Sequence, residues 1–484
     1  MMPHVVVVGG GFGGLEAARR LRNAPVRVTL LDRRNHHLFQ PLLYQVATAA
    51  LSAADIAYPI RSILAKQDNA RVLLADVTGI DVAKQTITLD AGTLHYDYLV
   101  LATGATHSYF GKDQWATLAP GLKSVEDALE MRRRIYLAYE AAEREADPVE
   151  QHKWLTFAVV GGGPTGVELA GALGEIGLHT LAKDFRSIDP TRVDVMLFES
   201  KDRVLGTYPE KLSEAAKHSL EQRHVTVRLN TLVTAIDDEG VTVKGPQGEE
   251  RIGARTVLWA AGVQASPLGA QLGVPRDRSG RVIVEPDLSI PGHPEVFVIG
   301  DLARMMSDGV EVPGVAQGAL QGGRHVAKII TEEARTIARS GVIQQIEAST
   351  GGDGARPSTG GDGASKHAPI DVAARPAFRY HDKGNMATIG RAEAVVATKH
   401  IARHGLLAWL VWWVVHIYFL VGFRNRVYMM FHWAWSWMTY RRGSRLITGE
   451  IGPLPPVKTI GPHGELLLLP ATEPLAHETS EHAR

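Results

Sequence analysis

The 484-residue chain contains no cysteine. Without thiols it cannot form a disulphide, hold a thiolate-bound zinc ion or an iron–sulphur cluster, or use a cysteine pair as a redox centre. The chain also lacks an excess of either charge, since 52 basic residues balance 52 acidic ones. This balance argues against a nucleic-acid-binding protein, and the 21% of charged residues argues against a wholly disordered one.

The N-terminal residues lack a basic leader followed by a long apolar core, because the strand-length stretch HVVVVG runs directly into a glycine loop. We therefore expect a cytoplasmic catalytic body. The length of the chain exceeds that of one compact core, which predicts two or three domains.

Strand and helix patterns alternate from the start of the chain. Short β-branched runs at Val5–Gly9 and Val26–Asp32 bracket a helical stretch, and the same order recurs at Leu155–Gly163 and Val193–Glu199. Strands separated by helices predict parallel sheets with right-handed crossovers. The fold class is therefore α/β, with two doubly wound Rossmann-like units. A later strand at Glu295–Asp301 is expected to return to the first unit.

A Gly-, Ser- and Asp-rich segment interrupts the second half of the chain and contains the unit STGGDGA twice. Such a composition buries too little apolar surface to offset the entropy of ordering, which predicts a flexible insertion. The predicted segments are an FAD-binding domain in two parts (1–125 and 265–343), an NADH-binding domain (126–264), the insertion (344–375), a C-terminal domain with membrane-attaching helices (376–449) and a Pro-rich tail (450–484).

Two glycine motifs follow strands and precede helices. Gly9, Gly11 and Gly14 form the first GxGxxG, which also includes Gly13, and Asp32 closes the next strand. Glycines in this context permit a tight turn and allow backbone N–H groups and the helix N-terminus to approach a pyrophosphate, while the acidic residue binds ribose hydroxyls. A purely structural turn is the alternative, but the strand, loop, helix and acidic residue together favour dinucleotide binding.

The second motif comprises Gly161, Gly163 and Gly166, and Glu199 ends the strand that follows. A carboxylate at this position binds a 2′-hydroxyl and repels a 2′-phosphate, which predicts a preference for NADH over NADPH. Lys201 and Arg203 lie close by and weaken this preference.

Small residues also end other strands of each unit. ATGA contributes Ala102 and Gly104, and AAGV contributes Ala261 and Gly262. In VIGDLA, Asp301 stands where a carboxylate can hold the ribityl or phosphate region of a flavin. Two dinucleotide sites in one chain suggest a flavin and a nicotinamide.

With these motifs in place, the chain resembles the type II NADH dehydrogenases, single-chain FAD enzymes that pass electrons from NADH to a membrane quinone without pumping protons. The resemblance extends from about residue 4 to residue 446 and is interrupted by the insertion. It rests on HHLFQPLLYQVATAALSAADIAYPIRSIL, VVGGGPTGVELAG, TVLWAAGV, GDLA, AQGALQGG and DKGNMATIGRAEAV.

The resemblance implies FAD and NADH as cofactors and a membrane quinone, either ubiquinone or menaquinone, as substrate. It also implies contact with the bilayer surface, a homodimer and no nucleic-acid partner. Disulphide reductases and sulphide:quinone oxidoreductases share the fold, but both act through cysteines that this chain lacks. The rival hypothesis is a membrane-associated flavoprotein similar to the apoptosis factors, in which NADH triggers partner binding and turnover is slow.

Glu168 follows the second glycine loop, where the sequence places it in the first turn of its helix. An acidic residue there can simply complement the helix macrodipole. The resemblance instead implies a catalytic carboxyl beside the nicotinamide and flavin rings. Gln317 and Gln321 lie one helical turn apart on one face, and the resemblance assigns them to the quinone site. The alternative for this pair is hydrogen bonding between domains.

The resemblance further implies flavin contacts from Gln45 and Thr48, and a quinone tunnel beside Leu42. Val77 and Gln317 are assigned to the flavin site as well. Lys383 is expected near the pyrimidine end of the flavin, with a solvated lysine as the alternative. The adjacent His36 and His37 diverge and have no third ligand in the sequence, so we assign no metal.

An apolar stretch at Gly405–Phe423 contains no Asp, Glu, Lys or Arg and is long enough to span a bilayer. Three observations favour attachment to one leaflet at the cytoplasmic face. Trp433, Trp435 and Trp437 suit the headgroup interface, and the resembled family attaches through amphipathic C-terminal helices. Arginines that oppose a spanning orientation also follow the stretch, namely Arg424, Arg426, Arg441, Arg442 and Arg445.

Overall fold

The computed structural model describes residues 2–350 and 374–420, the single residues 427, 430, 431 and 433, and residues 444–448. It also describes two short strands at Lys458–Ile460 and Leu466–Leu468. Two compact units are present. Unit 1 comprises Met1–Phe39, Ile56–Ser108 and Val263–Lys383, and unit 2 comprises Gln40–Asp55, Tyr109–Gly262 and Gly384–Arg484.

Helices alternate with strands along most of the described chain, as the sequence pattern predicts. The α-helices are α1 (Phe12–Arg20), α2 (Leu43–Ala47), α3 (Ala53–Ile56), α4 (Ile60–Leu64), α5 (Val125–Arg144), α6 (Pro148–Trp154), α7 (Pro164–Glu175), α8 (Glu210–Glu221), α9 (Ala316–Thr350) and α10 (Leu406–Phe419). A π-helical turn, Ile176–Thr180, continues α7.

Unit 1 is built on a six-stranded sheet whose central strand is His4–Val8. In spatial order the strands are Ser289–Ile290, His293–Val298, Tyr98–Leu101, His4–Val8, Arg27–Asp32 and Ala70–Leu74. All neighbours are parallel except the first pair. The central valines are fully buried, as expected for a parallel sheet covered on both faces.

Helices α1 and α9 cover this sheet in unit 1 and pack closely on each other. A Cβ at Gly323 would overlap the carbonyl of Gly13, so the small residues bring the helix backbones together. Smaller strands complete the unit. They are His36–Leu38 with Ala57–Pro59, the meander Val77–Asp81, Thr86–Leu89 and Gly92–His95, Ala105–His107 with Val263–Ala265, Val282–Ile283 with Ala303–Arg304, and Met306–Ser307 with Val310–Glu311.

Unit 2 repeats the parallel arrangement with four strands. Their spatial order is Val225–Arg228, Asp194–Phe198, Thr156–Val160 and Thr256–Trp259. A three-stranded antiparallel meander, Leu232–Asp237, Gly240–Gly245 and Gly248–Gly253, packs nearby.

The C-terminal part of unit 2 adds a second antiparallel sheet. It comprises Asn385–Gly390, Glu393–Ala397 and Ala402–His404. Its first strand packs against α7, where a Cβ at Gly171 would overlap the carbonyl of Ile389. Helix α10 packs against the middle strand of this sheet.

The α/β class with two parallel sheets confirms the predicted fold. The predicted return of the late strand to the first unit is also confirmed, because Val296–Val298 pairs in parallel with Leu99–Leu101. The structure groups residues 40–55, 109–125 and 384 onward with unit 2, whereas the sequence places the first two groups in the FAD-binding domain and the last in a separate domain. Which unit holds which cofactor stays a prediction.

The insertion is shorter at both ends than the predicted 344–375. Helix α9 continues to Thr350. At the other end the side chain of Arg375 is 3% exposed, and its guanidinium group forms ion pairs with Asp287 at 2.8 Å and Glu333 at 2.6 Å. A buried arginine held by two carboxylates fixes the backbone that carries it. The remainder of the insertion lies outside the described residues.

Candidate functional site: two glycine turns and a buried glutamate

The first glycine turn joins the central strand of unit 1 to α1. Gly9 has a φ of +104°, which favours glycine, and its N–H donates to the carbonyl of Leu31 at 2.8 Å. The N–H of Gly10 donates to Oδ2 of Asp32 at 2.6 Å. A Cβ at Gly14 would overlap the carbonyl of Gly9. These contacts explain why glycines occupy the motif.

The second turn, in unit 2, reproduces this geometry. Gly161 has a φ of +107°, and its N–H donates to Phe198 at 2.8 Å. The N–H of Gly162 donates to Oε2 of Glu199 at 2.7 Å. A Cβ at Gly166 would overlap the carbonyl of Gly161. The two turns are therefore equivalent in backbone conformation and in their acidic partner.

Both turns end at a helix N-terminus suited to an anion. Gly11 and Gly163 are the N-cap residues of α1 and α7, and neither provides a side-chain cap. The first turns of both helices contain no acidic residue. A Cβ at either N-cap would project into open space. The N–H groups and helix dipoles thus meet the requirements for binding the pyrophosphate of a dinucleotide.

The two carboxylates are held by further hydrogen bonds. The N–H of Arg34 donates to Oδ1 of Asp32 at 2.7 Å. The N–H of Lys201 and the hydroxyl of Ser200 donate to Oε1 of Glu199 at 2.9 and 3.2 Å. Each carboxylate is consequently fixed at the end of its strand, the position at which Rossmann folds bind a ribose.

His37 supports the first turn and was not assigned a role from the sequence. Its ring is buried, and Nδ1 donates to the carbonyl of Gly10 at 2.9 Å. Burial lowers the pKa of His37, which favours the neutral ring. The HHLF motif contained the residue, but nothing in the sequence indicated its partner, which lies 27 residues away.

The other strand-end residues occupy equivalent places in the two units. The N–H of Ala102 donates to Val8 at 2.8 Å, and that of Ala260, beside Ala261, donates to Val160 at 2.8 Å. Gly104 and Gly262 both have positive φ, +68° and +72°. Asp301 is half-buried in a short turn after the strand His293–Val298. Direct cofactor contacts of these residues stay predictions.

Glu168 lies in the second turn of α7, which corrects the first-turn position expected from the sequence. Glu168 therefore does not stabilise the helix by complementing its macrodipole, because that effect is confined to the first turn. Burial raises the pKa of Glu168 to about 8, and the one hydrogen bond that opposes this comes from the N–H of Thr388 at 3.4 Å. The carboxyl is thus mostly protonated at neutral pH.

A cavity of about 170 Å³ within unit 2 gives Glu168 an opening. Its other lining residues include Tyr44, Met386 and His416. This volume is well below that of a typical ligand pocket but has room for water molecules. Glu168 lines this space, where its carboxyl group can exchange a proton with a water molecule.

Three ionisable groups near Glu168 were not assigned roles from the sequence. Burial, reinforced by the Glu168 charge, raises the pKa of Tyr44 and of Tyr208, so both phenols stay neutral. Burial lowers the pKa of His416 to about 4. The Nδ1–H of His416 donates to the carbonyl of Trp412 at 2.7 Å. Tyr44 lies in a motif that the resemblance used, but no sequence signal brings His416 to this cavity.

The residues predicted to contact flavin from the PLLYQVATA motif lie in unit 2, where they have protein partners. Gln45 donates to the Tyr44 hydroxyl at 3.0 Å and accepts from the indole of Trp433 at 3.0 Å. The Thr48 hydroxyl donates to the Tyr44 carbonyl at 2.9 Å. Leu42 is fully buried. Their flavin and quinone roles stay predictions.

Trp433 is buried, which corrects its predicted place at the headgroup interface. Its indole is held by the hydrogen bond to Gln45 and by ring contacts with Trp412 and Trp413. Trp435 and Trp437 lie outside the described residues.

The glutamine pair of α9 separates into two environments. The amide of Gln321 donates to the carbonyl of His381 at 3.0 Å and accepts from its N–H at 2.9 Å. These bonds lie within unit 1, not between domains, and they occupy the amide. Gln317 is half-buried and makes no side-chain hydrogen bond with the described residues. It is the stronger quinone candidate of the pair, and both assignments stay predictions.

The remaining cofactor candidates of unit 1 differ in burial. Val77 is buried in the core, Gly13 lies where α1 meets α9, and Lys383 is exposed. Their cofactor contacts stay predictions. Among the residues that the structure describes, no group of three or more acidic or histidine side chains is arranged to hold a metal ion.

Helix α10 has one buried and one exposed apolar face. Ala408, Trp412 and His416, spaced by four residues, are buried. The exposed face, named here the apolar face of α10, consists of Leu407, Leu410, Val411, Val414 and Tyr418. In the described parts of the chain, no helix has the length and apolarity required to cross a membrane.

Comparison with known proteins identifies the family. The profile of the pyridine nucleotide-disulphide oxidoreductases matches residues 3–323. The type II NADH:quinone oxidoreductases NdhA and Ndh of Mycobacterium tuberculosis are 46% and 44% identical to the chain, each over 92% of it and 90% of the relative. The structure of NDH2 from Plasmodium falciparum in complex with NADH superposes with a TM-score of 0.77 at 18% identity, over 93% of this chain and all of that one.

The broader family takes its name from disulphide chemistry, which this chain cannot perform because it has no cysteine. It shares the fold of that family, while its extensive sequence identity is with enzymes that reduce quinone. The chain belongs to the type II NADH:quinone oxidoreductases.

Proposed function

We propose that the flavin of this enzyme is FAD bound by unit 1, that unit 2 binds NADH, and that the quinone is reduced at a membrane surface. As a type II NADH:quinone oxidoreductase, the chain transfers electrons from NADH to a quinone through a flavin. The observation that carries the finer proposal is the pair of equivalent glycine turns, each with an open helix N-terminus and a fixed carboxylate.

The turn of unit 1 supplies the FAD site. The N–H groups at the start of α1 bind the pyrophosphate and Asp32 binds the ribose, while Ala102, Gly104 and Asp301 contribute the neighbouring strand ends. In unit 2, α7 and Glu199 perform the same tasks for NADH, with Ala261 and Gly262 at the adjacent strand end. The negative charge of Glu199 disfavours a 2′-phosphate and hence NADPH.

A flavin held at the glycine turn of unit 1 would supply the acceptor for a hydride equivalent from NADH and the donor of two electrons to the quinone. Glu168 holds a proton on its carboxyl group at neutral pH and is the candidate donor to a quinone oxygen, because quinol formation consumes two protons. The proton-donor assignment is supported by the raised pKa of Glu168 and its opening into the cavity. The quinone-site assignment of Gln317, which lies in unit 1, stays a separate prediction.

The apolar face of α10 supports attachment to a lipid surface. Five apolar side chains exposed on one face would be removed from water by insertion into one leaflet. We assign this attachment to the cytoplasmic face, where NADH is available, without proton pumping. The predicted homodimer and the choice between ubiquinone and menaquinone stay predictions.

The test uses the purified full-length protein. The flavin released by heat is expected to be FAD, and anaerobic NADH oxidation is expected to reduce one quinone analogue per NADH. FMN in place of FAD would overturn the flavin assignment. Negligible turnover with FAD retained would favour the NADH-responsive binding protein instead.

A further inference from the structure

Four hydrogen bonds connect Trp433 to Glu168 within unit 2. The indole N–H of Trp433 donates to Oε1 of Gln45 at 3.0 Å, and Nε2 of Gln45 donates to the Tyr44 hydroxyl at 3.0 Å. The hydroxyls of Tyr44 and Thr388 lie 2.8 Å apart. The N–H of Thr388 then donates to Oε1 of Glu168 at 3.4 Å. We refer to these contacts as the Trp433–Glu168 chain.

The direction of the chain follows from donor chemistry. An indole nitrogen can only donate, so the Gln45 atom that faces Trp433 must be its oxygen. The amide nitrogen of Gln45 therefore faces Tyr44, whose hydroxyl accepts that bond and has its own hydrogen available for Thr388. With the Tyr44 hydroxyl donating to Thr388 Oγ1, the three side-chain bonds run in one direction and polarise one another, while the bond to Glu168 comes from the backbone N–H of Thr388.

Burial makes the chain costly to break. Trp433, Tyr44 and Thr388 are 8%, 7% and 3% exposed. A buried polar group that loses its partner costs about 1–3 kcal/mol. The folded state is therefore expected to retain the chain, and a change at one end is transmitted as a shift in position and not absorbed by solvent.

At one end of the Trp433–Glu168 chain, Trp433 packs against α10. Its ring centroid lies 5.5 Å from that of Trp412 and 6.3 Å from that of Trp413. Trp412 belongs to the buried face of α10, and the opposite face of the same helix is its apolar face. A reorientation of α10 would consequently move the rings of Trp412 and Trp413, against which Trp433 packs.

We propose that Gln45 and Tyr44 are positioning residues. They connect Trp433, which packs against α10, to the hydrogen bond that Glu168 accepts from Thr388. The proposal rests on the proposed function, in which Glu168 supplies a proton and α10 contacts lipid. It assigns to α10 and Trp433 an effect on proton delivery, in addition to the lipid attachment proposed for α10.

The electrostatic surroundings of Glu168 make the Thr388 bond influential. Tyr44 and Tyr208, which interact electrostatically with Glu168, and His416, which lines the same cavity, are all kept neutral by burial. The hydrogen bond donated by the N–H of Thr388 stabilises the ionised form of the Glu168 carboxyl group. Displacing Thr388 is therefore expected to raise the pKa of Glu168 further.

Trp433→Phe and Tyr44→Phe test this inference, because each keeps the ring and deletes one bond of the chain. Trp115→Phe is the matched control for the first, since this buried tryptophan of unit 2 packs against Trp259 and makes no contact with the Trp433–Glu168 chain. Tyr109→Phe is the control for the second, because the Tyr109 hydroxyl donates to the carbonyl of Ala119. All variants are prepared as the full-length, flavin-loaded enzyme.

Two readouts follow the Glu168 carboxyl. One is the pH midpoint of steady-state quinone reduction. The other is the infrared carbonyl band of the protonated carboxyl, recognised by its loss in Glu168→Gln, which requires no turnover. We expect both midpoints to rise by roughly 0.3–0.7 pH unit in Trp433→Phe and Tyr44→Phe, as one weak hydrogen bond predicts. Neither control should move them.

The infrared band separates failure of this inference from failure of the proposed function. A shifted pH midpoint of the infrared band, with an unaltered pH midpoint of quinone reduction, would support the Trp433–Glu168 chain and exclude Glu168 as the proton donor. Unshifted midpoints in Trp433→Phe, with normal flavin content and Tm, would overturn the inference. Trp433→Phe decides the matter alone if Tyr44→Phe does not fold.

Discussion

The N–H of Gly162 donates to a carboxylate oxygen of Glu199 at 2.7 Å, so the residue assigned to the ribose also supports the glycine turn. Removing the Glu199 side chain therefore has two effects: loss of the ribose contact and loosening of the turn. Glutamine separates them, because its side-chain oxygen can still accept the Gly162 bond.

We expect Glu199→Gln to narrow the preference for NADH over NADPH, because the charge that repels a 2′-phosphate is removed. Glu199→Ala should also raise the KM for NADH by about tenfold, the value of one hydrogen bond to a charged group. Steady-state kinetics with both coenzymes measure this. Glu250→Gln, which removes an exposed partner of Arg228, is the control. An unchanged coenzyme ratio in Glu199→Gln would exclude Glu199 as the ribose ligand.

Glu168→Gln is expected to retain flavin and to reduce quinone turnover at pH 7 by about a hundredfold, the usual effect of losing a general acid. In the wild type, the rate should fall as pH rises through about 8, because the carboxyl then ionises. The variant should lack this decline. Stopped-flow spectroscopy can assign the defect to flavin oxidation. Normal rates at all pH values in both half-reactions would remove Glu168 from the mechanism.

The same group predicts a pH dependence of stability. Because the pKa of Glu168 is raised by folding, the folded state binds a proton that the unfolded chain has lost between about pH 4.5 and 8. This contribution is fully present at low pH and is lost as pH rises through that window. The Tm of the wild type relative to Glu168→Gln should therefore decrease from pH 5 to pH 8. Glu214→Gln, on the exposed face of α8, should show no such trend.

Asp32→Ala should lower the FAD content of the purified protein, since it removes the acceptor for the N–H groups of Gly10 and Arg34 as well as the ribose contact. Flavin absorbance per chain measures the loss. Asp90→Ala changes an exposed carboxylate of the same unit and should leave the flavin content unchanged. Full occupancy in Asp32→Ala at low flavin concentration would contradict the assignment of unit 1 to FAD.

The double variant Leu407→Glu, Val414→Glu is expected to weaken binding to phospholipid vesicles by at least about tenfold, because charges replace apolar surface that insertion would bury. Activity should fall more for long-chain than for water-soluble quinones. Phe110→Glu alters an exposed apolar residue elsewhere in unit 2 and is the control. Unaltered vesicle sedimentation would exclude this face from attachment. Deleting α10 is a poorer test, because its other face is buried.

Arg375→Ala should lower the free energy of unfolding by roughly 3–5 kcal/mol, because it leaves the buried Asp287 and the partly buried Glu333 without their cation. Chemical denaturation of the holoenzyme measures the loss. Arg379→Ala, at an exposed position four residues later, should change stability little. A loss below about 1 kcal/mol, within the range of surface ion pairs, would contradict the structural role assigned to Arg375.

The glycine turns could be predicted because their requirements are local. Gly9 and Gly161 need positive φ, and Gly14 and Gly166 need the absence of a Cβ, within a few residues of sequence. The spacing of strand, loop and helix then indicates a dinucleotide site.

The surroundings of Glu168 could not be predicted in this way. Thr388 lies 220 residues from Glu168 and 344 residues from Tyr44, so tertiary structure alone brings them together. Arg375 was missed for a related reason. The insertion was predicted from the average composition of the segment that contains Arg375. The ordered position of Arg375 depends instead on Asp287 and Glu333, which are distant in sequence.

The division of unit 1 into three stretches of chain has a consequence for biogenesis. The strand Tyr98–Leu101 finds one of its parallel neighbours only when His293–Val298 has been synthesised, after residues 109–262 of unit 2 have left the ribosome. Contacts between residues this distant in sequence form slowly, and one edge of the strand Tyr98–Leu101 stays unpaired until they form. The nascent chain therefore has a period, spanning the synthesis of most of unit 2, in which the parallel sheet of unit 1 is incomplete and its unpaired strand edge is exposed to aggregation.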